Sequence, residues 1–101
     1  MSWSIRIAKR TAKDIGRLPE EVQLRLVALI KRMEIYGPYI ETWSPEERQK
    51  YKNYGALYGV GKRYHCHLKK GRPTYVACWE VHLKTIVVEF YYVGTHEKAP
   101  Y

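Results

Sequence analysis

The seven residues Arg63–Lys69, with the sequence RYHCHLK, alternate between cationic or imidazole side chains and apolar ones. Successive side chains of an extended strand point to opposite faces of the sheet, so this pattern predicts a half-buried strand. The apolar set that would face a core is Tyr64, Cys66 and Leu68. The opposite set, which carries protons and positive charge, is Arg63, His65, His67 and Lys69. We therefore expect this strand to present a functional face.

Length, composition and charge limit the class of protein. A chain of 101 residues with 46% hydrophobic content suits one compact domain, residues 1–101, without metal or disulfide support. The net charge of +8 favours a polyanionic partner such as nucleic acid, an anionic membrane surface or an acidic protein. A generally basic protein without such a partner is the alternative.

The chain shows no signal for membranes or for secretion. No apolar run is long enough to span a bilayer, and the N-terminus lacks the pattern of a signal peptide. Two cysteines, Cys66 and Cys78, are too few for a secreted disulfide framework. We expect a cytoplasmic protein that does not bind membranes and keeps both thiols reduced.

The N-terminal part of the chain predicts one strand and two helices. Residues 3–7 alternate apolar with polar positions, as in a half-buried strand. A short helix is expected to begin at Thr11 and to end before Pro19, where a longer helix opens and runs to Gly37. The longer helix carries an apolar stripe at three- and four-residue spacing, namely Val22, Leu26, Leu29, Ile30 and Met33.

The remaining chain predicts three strands after a long loop. Residues 39–61 are rich in turn formers and are interpreted as a loop with one helical turn at Pro45–Lys50. Aromatic and β-branched runs predict strands at 63–69, 74–82 and 85–93, joined as an antiparallel meander. The predicted fold class is α+β in the order β-α-α-β-β-β, a small, mainly antiparallel sheet with two N-terminal helices on one face.

Cations and tyrosines are concentrated in the middle of the chain. No acidic residue occurs between Glu47 and Glu80, and the cations there mix with tyrosines that offer flat faces to unpaired bases. The pattern favours RNA binding, and a solvated surface loop is the alternative. The predicted RNA-binding residues are Lys50, Lys52, Tyr54, Lys62, Lys69, Lys70 and Arg72, with Tyr51, Tyr58 and Tyr64 as further aromatic faces.

The order of elements and two short motifs resemble the RelE/ParE superfamily of bacterial type II toxins. The motifs are Leu57-Tyr58-Gly59 before a Tyr-x-x-His strand and the C-terminal segment Gly94–Tyr101, which begins Gly-Thr-His. The resemblance covers nearly the whole chain and is nearest to the YafQ-like and HigB-like branch. It implies a small cytoplasmic toxin that cuts messenger RNA in the ribosomal decoding site and is silenced by a cognate antitoxin.

The resemblance also implies site residues. His67 falls on the strand histidine of the YafQ-like pattern, His96 on the histidine of Gly-Thr-His, and Tyr101 near the terminal aromatic. The chain departs from the pattern at three places. Gly55 stands where a histidine or cation is usual, Gly71-Arg72 replace an acid, and Tyr92-Val93 displace an arginine implicated in holding the reacting phosphate.

Cutting RNA without a metal needs a base for the 2′-OH, positive charge for the transition state and an acid for the leaving 5′-oxygen. Imidazole can be base or acid at neutral pH, and nearby cations favour its neutral form. We predict His67 as the base, His96 as the acid and His65 as an alternate for either, with no cofactor. The other predicted members are Arg63 with Lys62 as a phosphate clamp, and Tyr101, which either stacks on a base or packs the chain end.

Two alternatives to a nuclease site remain. A zinc site from His65, Cys66, His67 and Cys78 is disfavoured, because alternating residues face opposite sides of a strand and no Cys-x-x-Cys spacing occurs. A non-catalytic role, as a ParE-like gyrase inhibitor or a basic RNA-binding module, is favoured by the missing arginine and the missing hairpin acid.

The expected partners follow from charge and apolar surface. Leu24 and Val27 widen the apolar surface of the longer helix beyond one stripe. Together with the charge of +8, this surface suits an acidic antitoxin that supplies amphipathic elements. A nuclease of the implied kind would also bind the ribosome and messenger RNA.

Overall fold

The computed structural model describes residues 3–57 and 62–100, apart from the side chains of Lys52 and Asn53. Its helices are α1 (Lys9–Ile15), α2 (Glu20–Tyr36) and α3 (Pro45–Arg48), and single 3₁₀ turns occupy Ile40–Thr42 and His96–Lys98. Its strands are β1 (Ser4–Ile7), β2 (Lys52–Ala56), β3 (Arg63–Lys69), β4 (Tyr75–His82) and β5 (Val87–Thr95). Within these ranges, no helix combines the length and the apolar character needed to cross a bilayer.

The strands form one five-stranded sheet in the order β1-β5-β4-β3-β2. Strand β1 runs parallel to β5, and the other three pairs are antiparallel. The meander of the last three strands and the two N-terminal helices on one face are present as predicted. The α+β fold class is therefore confirmed.

Strand β2 is the main difference from the predicted elements. It lies inside the segment 39–61, for which the sequence predicted a long loop, and it pairs antiparallel with β3. Its sequence KNYGA has weak strand propensity, so pairing with the open edge of β3 decides its conformation. The helical turn expected at 45–50 is present as α3, whose first residue is Pro45.

Two element boundaries also differ. Helix α1 begins at Lys9 rather than at Thr11, whose side chain is buried and makes no cap. The last strand begins at Val87 instead of residue 85 and continues to Thr95. The C-terminal end of β5 therefore reaches the Gly-Thr-His segment itself.

The core lies between α2 and the sheet. Helix α2 buries Val22, Leu26, Leu29 and Met33, and the sheet side of the same cluster includes Cys66, Leu68, Trp79 and Phe90. Burying each such large apolar side chain contributes about 1.5–3 kcal/mol. The helix ends at Gly37, where φ is 91° and an added Cβ would lie 3.2 Å from Trp3 Nε1. Glycine is needed there because other residues rarely adopt this backbone conformation.

Candidate functional site

Three imidazole rings form a row along β3 and onto the C-terminal segment. The ring centroids of His65 and His67 are 6.1 Å apart, and those of His67 and His96 are 5.2 Å apart. His65 and His67 are two residues apart on one strand and so share a face, the one opposite Cys66. We call His65, His67 and His96 the histidine row.

The hairpin loop between β3 and β4 holds His96 beside His67. The backbone N–H of His96 donates to the carbonyl oxygen of Thr74 at 2.8 Å. Thr74 in turn closes the loop, since its hydroxyl donates to the Gly71 carbonyl at 3.0 Å and accepts from the Gly71 N–H at 3.2 Å. Strand end, hairpin and 3₁₀ turn are thus joined by hydrogen bonds at the site.

A groove of about 500 Å³ opens between the hairpin loop and the two histidines. Its lining includes His67, His96, Arg72, Thr74 and Glu97. We call it the histidine groove. Two imidazoles and a guanidinium therefore line one cavity that is open to solvent.

The orientation of His65 is set by strand β2. Its Nδ1 lies 3.1 Å from the carbonyl oxygen of Gly55. A carbonyl oxygen only accepts hydrogen bonds, so Nδ1 carries the proton and Nε2 is the basic nitrogen of the neutral ring. Burial lowers the pKa of His65 below its ordinary 6.5, the bond to Gly55 opposes this, and nearby His96 lowers it further.

The pKa of His67 is also lowered. The largest cause is partial burial, followed by the neighbouring His96 and His65 and then by Lys70. The direction is the one expected from the sequence, although nearby cations, the expected cause, contribute least, through Lys70. A lowered pKa keeps the His67 ring neutral at neutral pH, which is the form that accepts a proton.

The structure places the two residues of the predicted phosphate clamp away from His67. Arg63 lies four residues from His67 on the same strand, about 13 Å away along its axis. Its Nε donates to Glu80 at 2.8 Å, and its guanidinium carbon lies 4.8 Å from the Tyr91 ring centroid. Lys62 lies at the same end of β3 and lines a different cavity, with Glu80 and His82. The alternation in β3 does not show that Glu80 lies opposite Arg63 on β4, and the role of Arg63 and Lys62 as a clamp stays a prediction.

Two further predicted RNA-binding lysines form ion pairs with glutamates. Lys50 Nζ lies 3.3 Å from Glu47, and Lys69 Nζ lies 2.6 Å from Glu21 of α2. The pairing of β3 with β4 is irregular between His67 and Lys69. Lys69 thus reaches the helix instead of extending the histidine row.

The predicted aromatic faces are part of the core. Tyr51 is buried, and Tyr54 and Tyr64 are half-buried against the same cluster. Burial leaves Tyr51 no open face and leaves Tyr54 and Tyr64 only part of one, so base stacking by these rings stays a prediction. Tyr58, Tyr101 and the Lys52 side chain lie outside the described residues.

Lys70 and Arg72 are the predicted cations that the structure brings to the histidine row. Both side chains belong to exposed residues of the hairpin loop. Arg72 lines the histidine groove, and Lys70 lies close enough to His67 to lower its pKa.

The basic segment that contains α1 was not among the predicted RNA-binding residues. The segment 9–17 carries four cations, Lys9, Arg10, Lys13 and Arg17, against the single acid Asp14. All five residues are exposed. The signal in the sequence is the excess of cations over acids in this predicted helical segment, which lies outside the stretch between Glu47 and Glu80.

Tyr92 and Gly94 support the turn that carries His96. The Tyr92 hydroxyl donates to the Thr95 carbonyl oxygen at 2.7 Å. A Cβ on Gly94 would lie only 2.7 Å from that hydroxyl oxygen. Glycine at 94 is therefore required by close packing of the Tyr92 ring next to His96.

Solved structures of toxin proteins share this fold over almost the whole chain. The archaeal RelE–RelB complex from Pyrococcus horikoshii OT3 is similar with a TM-score of 0.67 and 21% identity, covering 98% of this chain and 100% of that chain. A mutant of the E. coli toxin RelE in the free state has a TM-score of 0.69 and 19% identity, covering 98% of this chain and 88% of that chain. The intact E. coli RelBE toxin–antitoxin complex has a TM-score of 0.64 and 18% identity, covering 96% of this chain and 100% of that chain.

These likenesses establish the fold, which is that of RelE toxins. No protein-family model and no curated protein sequence matches the chain. The nearer resemblance to the YafQ-like and HigB-like branch stays a prediction.

Proposed function

We propose that this chain is the toxin of a type II toxin–antitoxin system and cuts messenger RNA on the ribosome without a metal. The observation that carries the proposal is the pair of His67 and His96, whose rings are 5.2 Å apart at one groove. The shared fold supports it, because the structures similar to this chain include toxins named RelE and complexes of RelE with RelB.

In this proposal His67 is the general base. Its neutral ring takes the proton of a ribose 2′-OH, and the oxygen attacks the adjacent phosphorus. The P–O bond to the 5′-oxygen of the next nucleotide then breaks. The products are a 2′,3′-cyclic phosphate and a 5′-hydroxyl, so atoms and charge balance without a further reactant.

His96 is the proposed general acid, and the hairpin supplies the charge. A protonated His96 gives its proton to the leaving 5′-oxygen. Arg72 takes the role first assigned to Arg63, because it lines the groove of both histidines and Arg63 does not. Its fork of N–H donors suits the oxygens of a phosphate that gains charge in the transition state. Lys70 adds a second cation nearby.

A second candidate function is a non-catalytic RNA-binding module on the same face. The observation that favours it is the ion pair of Arg63 with Glu80, which leaves Arg72 as the arginine at the groove. Such a module would bind RNA but leave its chain intact.

We also propose an acidic antitoxin as partner and the cytoplasm as the location. Helix α2 exposes 61% of Leu24, 47% of Val27 and 72% of Ile35, which an amphipathic segment of a partner would cover. RelE proteins of the same fold have been crystallised with RelB. Ribosomes and messenger RNA place the proposed activity in the cytoplasm.

The test is cleavage of a defined messenger in a translating extract, with ends mapped by primer extension. We expect cuts in phase with codons, ending in a 2′,3′-cyclic phosphate. His67→Ala or His96→Ala should lower the rate about 10²–10⁴-fold, the usual contribution of a general acid or base.

His82→Ala is the matched control. His82 is a β4 histidine at the other end of the sheet, 3.3 Å from both Glu80 and Glu89. We expect this variant to cut like the unchanged protein. Equal cutting by all three variants would refute the site, and RNA binding without any cutting would favour the non-catalytic module.

A further inference from the structure

A second groove, of about 450 Å³, lies between α1 and the end of β5. Its charged lining comprises Arg10, Arg17 and Lys98 with Asp14, so three cations face one carboxylate. Tyr92 and Thr95 line it as well. We call it the α1 groove.

The three cations of the α1 groove are not compensated by ion pairs among the described residues. Many other cations are neutralised by glutamates in ion pairs: Arg6, Arg25, Arg32, Lys50, Arg63 and Lys69. Within residues 3–57 and 62–100, neither Arg10, Arg17 nor Lys98 takes part in an ion pair. A groove with exposed, uncompensated cations attracts an anion strongly.

The α1 groove adjoins the histidine groove. His96 and Glu97 line the histidine groove, whereas Thr95 and Lys98 line the α1 groove. The 3₁₀ turn that separates them has three residues, His96–Lys98, and is about 6 Å long. A chain that leaves the histidines along this turn therefore meets the cations of the α1 groove.

We propose that the α1 groove is a phosphate-binding subsite that holds the backbone of an RNA strand beside the cleavage site. This assignment rests on the proposed function for the nature of its ligand. Arg10 lies in α1 and Arg17 follows the end of the helix, and both line the groove, so each can hold its own phosphate. Guanidinium groups match phosphate oxygens in pairs of hydrogen bonds, and such contacts are independent of base sequence.

The test measures binding of a short single-stranded RNA in which every 2′-OH is methylated, so that it cannot be cut by 2′-OH attack. Fluorescence anisotropy gives its Kd at several salt concentrations. Each phosphate contact on a single strand contributes about 0.7 to the slope of log Kd against log salt. Arg10→Ala/Arg17→Ala should lower this slope by about 1.4, so that raising salt from about 50 to about 200 mM weakens binding ~7-fold less than in the unchanged protein.

Lys9→Ala/Lys13→Ala is the matched control, because it removes the same charge from the same segment, 9–17, at residues that do not line the groove. We expect its slope to stay near that of the unchanged protein. Equal slopes for the two double variants, or no binding of the probe by the unchanged protein, would overturn the subsite. The subsite would also be overturned if Arg10→Ala/Arg17→Ala weakened the binding of polyglutamate but not of the RNA, because the groove would then hold an acidic protein segment.

The two proposals fail in different ways. Absence of cutting by the unchanged protein removes the nuclease function, whereas the binding slopes still decide whether the α1 groove holds phosphates. Cutting that persists together with unaltered slopes removes the subsite alone.

Discussion

Gly94→Ala tests how closely the end of β5 is packed beneath the turn that carries His96. The new Cβ would lie 2.7 Å from the Tyr92 hydroxyl oxygen and 3.0 Å from the ring carbon that bears it. The Tyr92 ring is rigid, so it must move as a whole. That movement breaks its hydrogen bond to the Thr95 carbonyl, one residue before His96.

The free energy of unfolding should fall by about 2 kcal/mol. Loss of the hydrogen bond costs about 0.5–1.5 kcal/mol, and inserting a methyl group into a packed site costs about 1–3 kcal/mol. Replacing glycine returns about 0.4–1 kcal/mol through the less flexible unfolded chain. For a domain of this size the net loss corresponds to a Tm lower by about 8–16 °C.

Thermal and urea unfolding followed by circular dichroism measure this change. Gly16→Ala is the matched control, because a Cβ there lies 3.5 Å from the Lys13 carbonyl in ordinary contact, and we expect no loss of stability. Tyr92→Phe removes the oxygen that meets the new Cβ. The double variant Tyr92→Phe/Gly94→Ala should therefore lose less than the sum of the single losses. Gly94→Ala as stable as Gly16→Ala, or strict additivity with Tyr92→Phe, would refute the reasoning.

Two further predictions concern the histidine row and its cations. Arg72→Ala should slow messenger cleavage by about 10²-fold, as expected for the loss of a donor to the transition state. Arg63→Ala should leave the cleavage rate near that of the unchanged protein. The reverse order of the two rates would assign the clamp to Arg63. Folding lowers the pKa of His65 and His67 below the ordinary histidine value of 6.5. At a pH below 6.5 the unfolded chain therefore binds more protons than the folded protein does. The contribution of the two histidines to the free energy of unfolding is therefore present above pH 6.5 and is lost as the pH falls below 6.5. Urea unfolding should show this loss of stability below pH 6.5, and the loss should be smaller in His67→Ala.

Much of the fold could be predicted from local patterns. The alternation in β3, the apolar stripe of α2 and the strand-rich C-terminal half each depend on near neighbours in the chain. Strand β2 could not be found this way, because KNYGA carries no strand signal and depends on the edge that β3 offers. The burial of Tyr51 and the partial burial of Tyr64 were not visible in the sequence for a similar reason, since they depend on rings such as Trp43 and Trp79 from other segments.

In the candidate site, too, some features follow from local sequence and others from contacts between distant segments. The sequence by itself determined which residues could do proton chemistry, because imidazoles at alternating positions share a face of any strand. Only the tertiary structure decided which cations accompany them. Glu80 and Glu21 come from other segments and pair with Arg63 and Lys69, whereas the hydrogen bond from the His96 N–H to the Thr74 carbonyl brings the hairpin loop to the histidines. These two ion pairs join residues far apart in the chain, so composition shows how much charge there is, and the fold decides where it remains available to a ligand.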